Sequence, residues 1–198
     1  NKFKLLLISL IVLCSFLLAT YSQAQENTTN AFNEDSTLSG PDFNGDGYGD
    51  IVIGATGERF GDAIRTGAVT ILFGDPNKLF SESILLHQGI LAIPGTNDPN
   101  DRFGSRTTFG DFNGDGLDDL VITAPQKDVN GITDVGMMWV LPGLPQGMGI
   151  INSAKSFNLS MFISDDDISP EDNWGEMIVA GDFNGDGYED IAISSPNA

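Results

Sequence analysis

One acidic loop occurs three times in this chain. It reads Asp42-Phe-Asn44-Gly-Asp46-Gly-Tyr48-Gly-Asp50, then Asp111-Phe-Asn113-Gly-Asp115-Gly-Leu117-Asp-Asp119, then Asp182-Phe-Asn184-Gly-Asp186-Gly-Tyr188-Glu-Asp190. Oxygen-bearing side chains stand at loop positions 1, 3, 5 and 9, and an apolar run follows at once. A hard divalent cation such as Ca²⁺ takes about six to eight oxygens at roughly 2.3–2.6 Å. Three carboxylates and an amide around a glycine turn offer such a shell. Without a counter-ion, carboxylates this close repel one another. Asn at position 3 adds an oxygen without a fourth charge. Gly47, Gly116 and Gly187 fall at the bend, where positive φ is cheap for glycine.

An EF-hand opens with the same Asp-x-Asn-x-Asp-Gly order, but it needs a bidentate Glu at position 12 and flanking helices. Position 12 here is Ile53, Ile122 or Ile193, each inside a strand-like run. The EF-hand is excluded. A second competitor is a set of Asx-rich turns that bind no metal; repetition of one oxygen layout weighs against it.

The loops mark a period. They start at Asp42, Asp111 and Asp182, spaced by 69 and 71 residues. Gly67-Ala-Val-Thr-Ile-Leu-Phe-Gly74 begins 25 residues after Asp42, and Gly136-Met-Met-Trp-Val-Leu-Pro-Gly143 begins 25 after Asp111. Asp101-Arg-Phe103-Gly104 and Asp172-Asn-Trp174-Gly175 each begin 10 residues before their loop. Landmarks that keep step in this way define a true repeat.

Each unit reads as strands. Phe103 to Phe109 leads into a loop, while Ile51–Ala55, Leu120–Ala124 and Ile191–Ser195 leave one. Gly67–Gly74 and Gly136–Gly143 supply a third strand, and Phe157–Ile163 is expected as a fourth. Gly, Pro, Asn and Asp clusters separate them, and no helical periodicity appears after the N-terminal segment. The expected fold is all-β: a partial β-propeller of four-stranded antiparallel blades with a period of about 70 residues. Repeats are expected at about 41–100, 101–170 and 171–198, the last incomplete.

The chain carries 28 acidic and 9 basic residues, a formal charge of −19. Nucleic-acid binding needs a basic footprint, and there is none. Nine of the carboxylates sit at ligand positions, so three Ca²⁺ would bring the formal charge to −13.

Residues 1–24 differ in kind. Lys2 and Lys4 precede the apolar run Leu5 to Ala19, and Ser22-Gln23-Ala24 has the small-x-small form of a cleavage site. This reads as a secretory signal peptide cleaved after Ala24, followed by a linker over 25–40. The run is short for a full membrane span, so an uncleaved anchor is the weaker alternative and no membrane insertion is expected after cleavage. Cys14 lies in that run, which leaves the mature chain without cysteine and makes metal ions the expected staples of an exported protein. The start at Asn1 and the stop at Ala198, partway through a repeat, are read as those of a fragment.

The sequence from about residue 40 to 198 resembles the FG-GAP repeats of integrin α-chain propellers and their bacterial relatives. Phe103-Gly104 and Trp174-Gly175, the three loops, and Ala124-Pro125 carry the likeness. The resemblance implies one Ca²⁺ per loop, held by the side chains of positions 1, 3, 5 and 9 and the carbonyl of position 7. By position, the ligands are Asp42, Asn44, Asp46, the Tyr48 carbonyl and Asp50. The second set is Asp111, Asn113, Asp115, the Leu117 carbonyl and Asp119; the third is Asp182, Asn184, Asp186, the Tyr188 carbonyl and Asp190. No Phe-Gly precedes the first loop at the expected offset, so the first blade is expected to be incomplete or irregular. The Gly-Ala-Pro signature survives only in part, as Gly54-Ala55-Thr56, Thr123-Ala124-Pro125 and Ser194-Ser195-Pro196. Family propellers close with about seven blades, so this fragment is not expected to form a ring alone.

Other residues bear less. His87 reads as a surface or packing residue, and Trp139 and Trp174 as packing between blades, with glycan contact by an exposed Trp as the alternative. Asp165-Asp166-Asp167 reads as a solvated turn, with cation binding as its alternative; Asn27-Thr-Thr29 and Asn158-Leu-Ser160 are glycosylation sequons. Between residues 25 and 198 there is one His, no Cys and no Gly-x-Ser-x-Gly elbow, so no catalytic group or His-rich zinc site is expected there. The expectation is a secreted or cell-surface, Ca²⁺-binding, integrin-α-like propeller segment for adhesion to an extracellular protein or glycan. The alternative is a non-catalytic accessory module of a larger exported hydrolase of the phospholipase-D-like kind.

Overall fold

β-branched and aromatic runs of five or six residues, punctuated by Gly, Asn and Asp, form strands here as their composition dictates. The protein is seen in a computed structural model that describes residues 40–77, 80, 82–90, 93–145 and 154–198. The expected leader over 1–24, the linker up to residue 39 and the sequon at Asn27 lie outside the described residues. Residues from 39 onward group as one compact unit.

Nine strands are described, in three antiparallel sheets. The first sheet is β1 (Ile51–Ala55), β2 (Ala68–Leu72) and β3 (Ser83–Leu86), in that order. The second is β4 (Arg106–Gly110), β5 (Asp119–Ala124), β6 (Met137–Leu141) and β7 (Lys155–Phe157). The third pairs β8 (Ile178–Gly181) with β9 (Asp190–Ile193). Each acidic loop runs straight into a strand, β1, β5 or β9, so position 12 lies in a sheet and no helix flanks a loop. Among the described residues helix is confined to two three-residue 3₁₀ turns, Leu159–Met161 and Asp165–Asp167. This is the all-β, partial-propeller architecture that the repeat predicts.

The sheets stack face to face, and alternation on the central strands shows it. Along β5, Leu120, Ile122 and Ala124 enter one core with Phe43, Ile71, Phe73 and Phe103 from the first sheet's side. Val121 points the other way, into a core with Met138, Leu159 and Trp174. Every residue of β5 is buried, as is every residue of β2. A strand covered on both faces reads as a continuous apolar run, because period 2 sends alternate residues to two cores. β4 packs beside β8, and β1 beside β4, as successive blades.

One expectation needs correction, and another is met. The fourth strand is Lys155–Phe157, and it stops where Phe157–Ile163 was expected to run on. Asn158 ends it: its Oδ1 accepts from the Ser160 N–H at 3.0 Å and from the Ser160 hydroxyl at 2.6 Å, nucleating the 3₁₀ turn. A short polar side chain that bonds nearby backbone competes with strand pairing. Four strands are described for the middle blade; the segment ahead of the first loop, where its missing Phe-Gly predicts an irregular start, lies outside the described residues. Neither Trp is an exposed glycan platform. Trp139 is fully buried, edge-on to Phe103 at 5.1 Å between centroids, and its Nε1 donates to the Pro94 carbonyl at 2.8 Å. Trp174 is 4 % exposed.

Candidate metal centre

All three loops are built by one hydrogen-bond scheme in which position 1 is the hub. Asp42 Oδ1 accepts from the Gly45 and Asp46 N–H groups at 2.8 and 3.2 Å, and Oδ2 accepts from Gly47 at 2.9 Å. Asp111 receives Gly114, Asp115 and Gly116 at 2.7, 3.1 and 2.9 Å; Asp182 receives Gly185, Asp186 and Gly187 at 2.7, 3.1 and 3.0 Å. Position 3 accepts from the N–H of position 5, and position 5 accepts from the N–H of position 7, in every copy. The bend glycines take φ of 84°, 87° and 91°, as their place in the motif requires.

Position 9 does something the loop sequence does not reveal. Asp50 Oδ1 accepts from the Gly74 N–H at 3.0 Å and its Oδ2 from Phe43 at 2.9 Å. Asp119 Oδ1 accepts from the Gly143 N–H at 2.8 Å. The ninth carboxylate therefore ties the loop to the far end of the next strand hairpin. Glycine is needed there because a Cβ on Gly74 would lie 2.6 Å from the Gly49 carbonyl oxygen, and one on Gly143 2.5 Å from that of Asp118. Recurrence of that glycine 24 residues after position 9 is the signal that marks it.

Successive loops also touch. The position-8 N–H of one loop, Asp118 or Glu189, donates to the position-1 carbonyl of the loop before, Asp42 or Asp111, at 3.3 Å in both cases. Asp118 returns the contact, its Oδ2 accepting from the Asp42 N–H at 2.8 Å. The side chains of Leu117 and Tyr188 lie over Gly45 and Gly114, where a Cβ would come within 2.6 and 2.2 Å of them. Position 7, read from the sequence only for its carbonyl, thus packs one loop on the next.

The carboxylates of each loop face backbone N–H groups. Among the described residues, no three His, Cys, Asp or Glu side chains are arranged to hold a metal ion as they stand, Asp165–Asp167 included. Those three aspartates form an exposed turn. The donor set nonetheless suits a hard cation: each loop brings three carboxylates, an amide oxygen and a backbone carbonyl within nine residues. Electrostatics point the same way. Burial pushes the Asp50 carboxyl up to about 6, against the bonds from Gly74 and Phe43, and the charges of Asp42 and Asp46 raise it further. Asp119 is raised by burial first, with Asp115 and Asp111 adding to it. A desolvated carboxylate beside two more is short of positive charge.

His87, outside the loops, stacks on Phe60 with ring centroids 3.9 Å apart and accepts at Nδ1 from the Gly89 N–H at 3.1 Å. It is a packing residue. Lys127, which the sequence did not single out, is 7 % exposed and donates to Asp101 at 3.0 Å, to the Thr96 carbonyl at 3.1 Å and to Asp98.

Repeated loops, blade-like sheets and glycine-tied junctions define a β-propeller repeat protein. Residues 35–72, 103–141 and 174–198, just over half of the chain, match the family model for the FG-GAP repeat. The chain belongs to the FG-GAP repeat family. It is 33 % identical over 161 residues to phosphatidylinositol-glycan-specific phospholipase D of Bos taurus, covering 81 % of this chain and 18 % of that protein. With the protein of the same name from Mus musculus it is 34 % identical over 193 residues, 92 % of this chain and 22 % of that protein. With integrin alpha-PS5 of Drosophila melanogaster it is 27 % identical over 159 residues, 79 % of this chain and 14 % of that protein. The chain thus spans about a fifth of the length of the phospholipases it matches. Among the described residues no helix is long and apolar enough to cross a membrane.

Proposed function

We propose that this chain is a calcium-tied propeller segment of a secreted or cell-surface protein, and that its role is binding or adhesion to an extracellular protein or glycan. The observation that carries the metal reading is the buried ninth carboxylate, Asp50 or Asp119, held beside two others on an amide-built loop repeated three times. Asp42, Asn44, Asp46, Asp50 and the Tyr48 carbonyl would hold the first ion, with the equivalent residues of the other loops holding theirs. A bound Ca²⁺ supplies positive charge that lets all three carboxylates of a loop stay ionised. No chemistry is asked of it. The chain's residues do the rest: position 1 shapes the loop, position 9 clips it to the hairpin, and position 7 leans on the preceding loop.

Free Ca²⁺ at ten times the dissociation constant would add about 1.4 kcal/mol per site, or roughly 4 kcal/mol for three. Melting the protein after EDTA treatment and again with Ca²⁺ restored tests this. A lower Tm without the ion is expected, and Asp46→Ala, Asp115→Ala and Asp186→Ala combined should abolish the difference. Identical melting in both conditions sinks the metal reading.

A second reading is favoured by the likeness to phosphatidylinositol-glycan-specific phospholipase D: the repeats are an accessory module of a larger exported hydrolase. It assigns no catalytic residue to the described segment. Hydrolysis of a glycosylphosphatidylinositol substrate by the complete protein, unaffected by removal of the repeats, would support it; an inert complete protein would end it.

A further inference from the structure

A polar recess of about 390 Å³ lies at the strand ends opposite the acidic loops, one strand length of about 17 Å away. Three connections meet there: the one from β1 to β2, the one leading into β4, and the one from β5 to β6. Arg65, Asn100, Arg102, Gln126, Asp128 and Asp134 line it, and Pro99 is the one apolar lining residue.

The backbone around this recess is unusual. Arg65, Asn100, Arg102 and Asp134 all have left-handed φ, at 54°, 71°, 57° and 53°. The same turns recur at the next junction, where the positions equivalent to Arg65, Asn100 and Arg102 are Asp134, Glu171 and Asn173, at φ of 53°, 65° and 51°. The backbone bonds match as well: Arg102 donates to the Arg65 carbonyl at 3.1 Å, and Asn173 to that of Asp134 at 3.0 Å. Asp and Asn tolerate this conformation and are enriched in it; Arg is not. Two arginines at the first junction are therefore poor choices for the turn, and strained residues gathered at a recess point to use of their side chains.

Neither guanidinium is locked in a close ion pair, although Arg102 lies near enough to Asp134 to favour its ionised form. The chain has four arginines. Arg59 pairs with Asp62 and Arg106 with Glu176, whereas among the described residues Arg65 and Arg102 form no ion pair within 4.0 Å. We propose that Arg65 and Arg102 bind the carboxylate of an acidic sugar unit, with Asp128 and Asp134 accepting from its hydroxyls. The planar guanidinium fork matches a carboxylate in two parallel bonds. Two arginines and two aspartates make the lining formally neutral, so sulfate or phosphate would meet two opposing carboxylates. A singly charged, hydroxyl-rich ring satisfies both kinds of group, and the volume suits a ligand of that size.

This deepens the reading of the array as a binding module and does not depend on the metal. Isothermal titration of the full chain with methyl glucuronide, methyl glucoside and sodium sulfate tests it. Saturable binding of the glucuronide is expected, with the other two at least tenfold weaker. Arg65→Asn and Arg102→Asn should each weaken glucuronide binding at least tenfold while melting no lower than the native protein, because Asn suits the turn better. Equal affinity for the three probes, tighter sulfate binding, or undiminished binding by both variants overturns the proposal. A Ca²⁺-insensitive Tm with intact glucuronide binding would break the metal reading and leave this one standing.

Discussion

The two junctions between consecutive sheets share one backbone and differ in how their side chains complete it. At the first, Phe103 donates to the Thr66 carbonyl at 2.9 Å; at the second, Trp174 donates to that of Val135 at 2.8 Å. Gly67 and Gly136, both at positive φ, admit this approach, since a Cβ there would lie 2.1 Å from the Phe103 oxygen and 2.2 Å from that of Trp174. Yet the buried Asp just before each aromatic meets a different fate. Asp101 accepts from Lys127 and from Gln88 Nε2 at 2.9 Å, while Asp172, fully buried, takes the Ser169 N–H at 2.9 Å on Oδ2 and leaves Oδ1 without a partner. Ala198 stands where the repeat places Lys127. Backbone fit is held in register by glycine and repeats faithfully; side-chain completion diverges.

The largest test of that contrast is Lys127→Met, which leaves Asp101 buried and unpaired. Removing one partner of a buried pair costs about 3–5 kcal/mol, read as a lower urea midpoint; a change under about 1 kcal/mol would show that the first junction does not depend on its ion pair. Asp172→Asn should do the reverse. It removes a charge that has no ion-pair partner among the described residues, so urea unfolding should show no loss and a gain of up to about 1 kcal/mol. A loss comparable to that of Lys127→Met would mean that the two junctions are electrostatically alike. The smallest effect concerns His87, beside the first junction. Burial lowers its pKa from 6.5, with the bond to Asn97 opposing. The unfolded chain then binds the proton more readily, so this contribution is fully present above about pH 6.5 and declines as pH falls below it. The native protein should lose slightly more Tm than His87→Phe between about pH 6.5 and 5, and parallel curves would remove His87 from the account.

Much of this could be read directly. Positions 1, 3 and 5 act within five residues of one another, so the loop's shape is written locally, and period 2 on both faces of Leu120–Ala124 announces a strand with two cores. The fourth strand was misplaced because one side chain, Asn158, diverts the backbone into a turn that apolar content alone does not reveal. Gly74, Gly143 and Lys127 stayed silent as individuals. Their partners lie 24 to 31 residues away, and nothing local ties them together.

Sequence alone determined the repeat, through identical motifs recurring at a fixed period, and the loops with their oxygen donors and the strands that follow them, through patterns that span only a few neighbouring residues. Only the tertiary structure decided which loops touch, which buried aspartate finds a lysine, and which recess Arg65 and Arg102 both line. Those outcomes depend on stacking sheets whose contacting residues are dozens of positions apart, and stacking is set by close backbone approach at glycine and by the filling of shared cores.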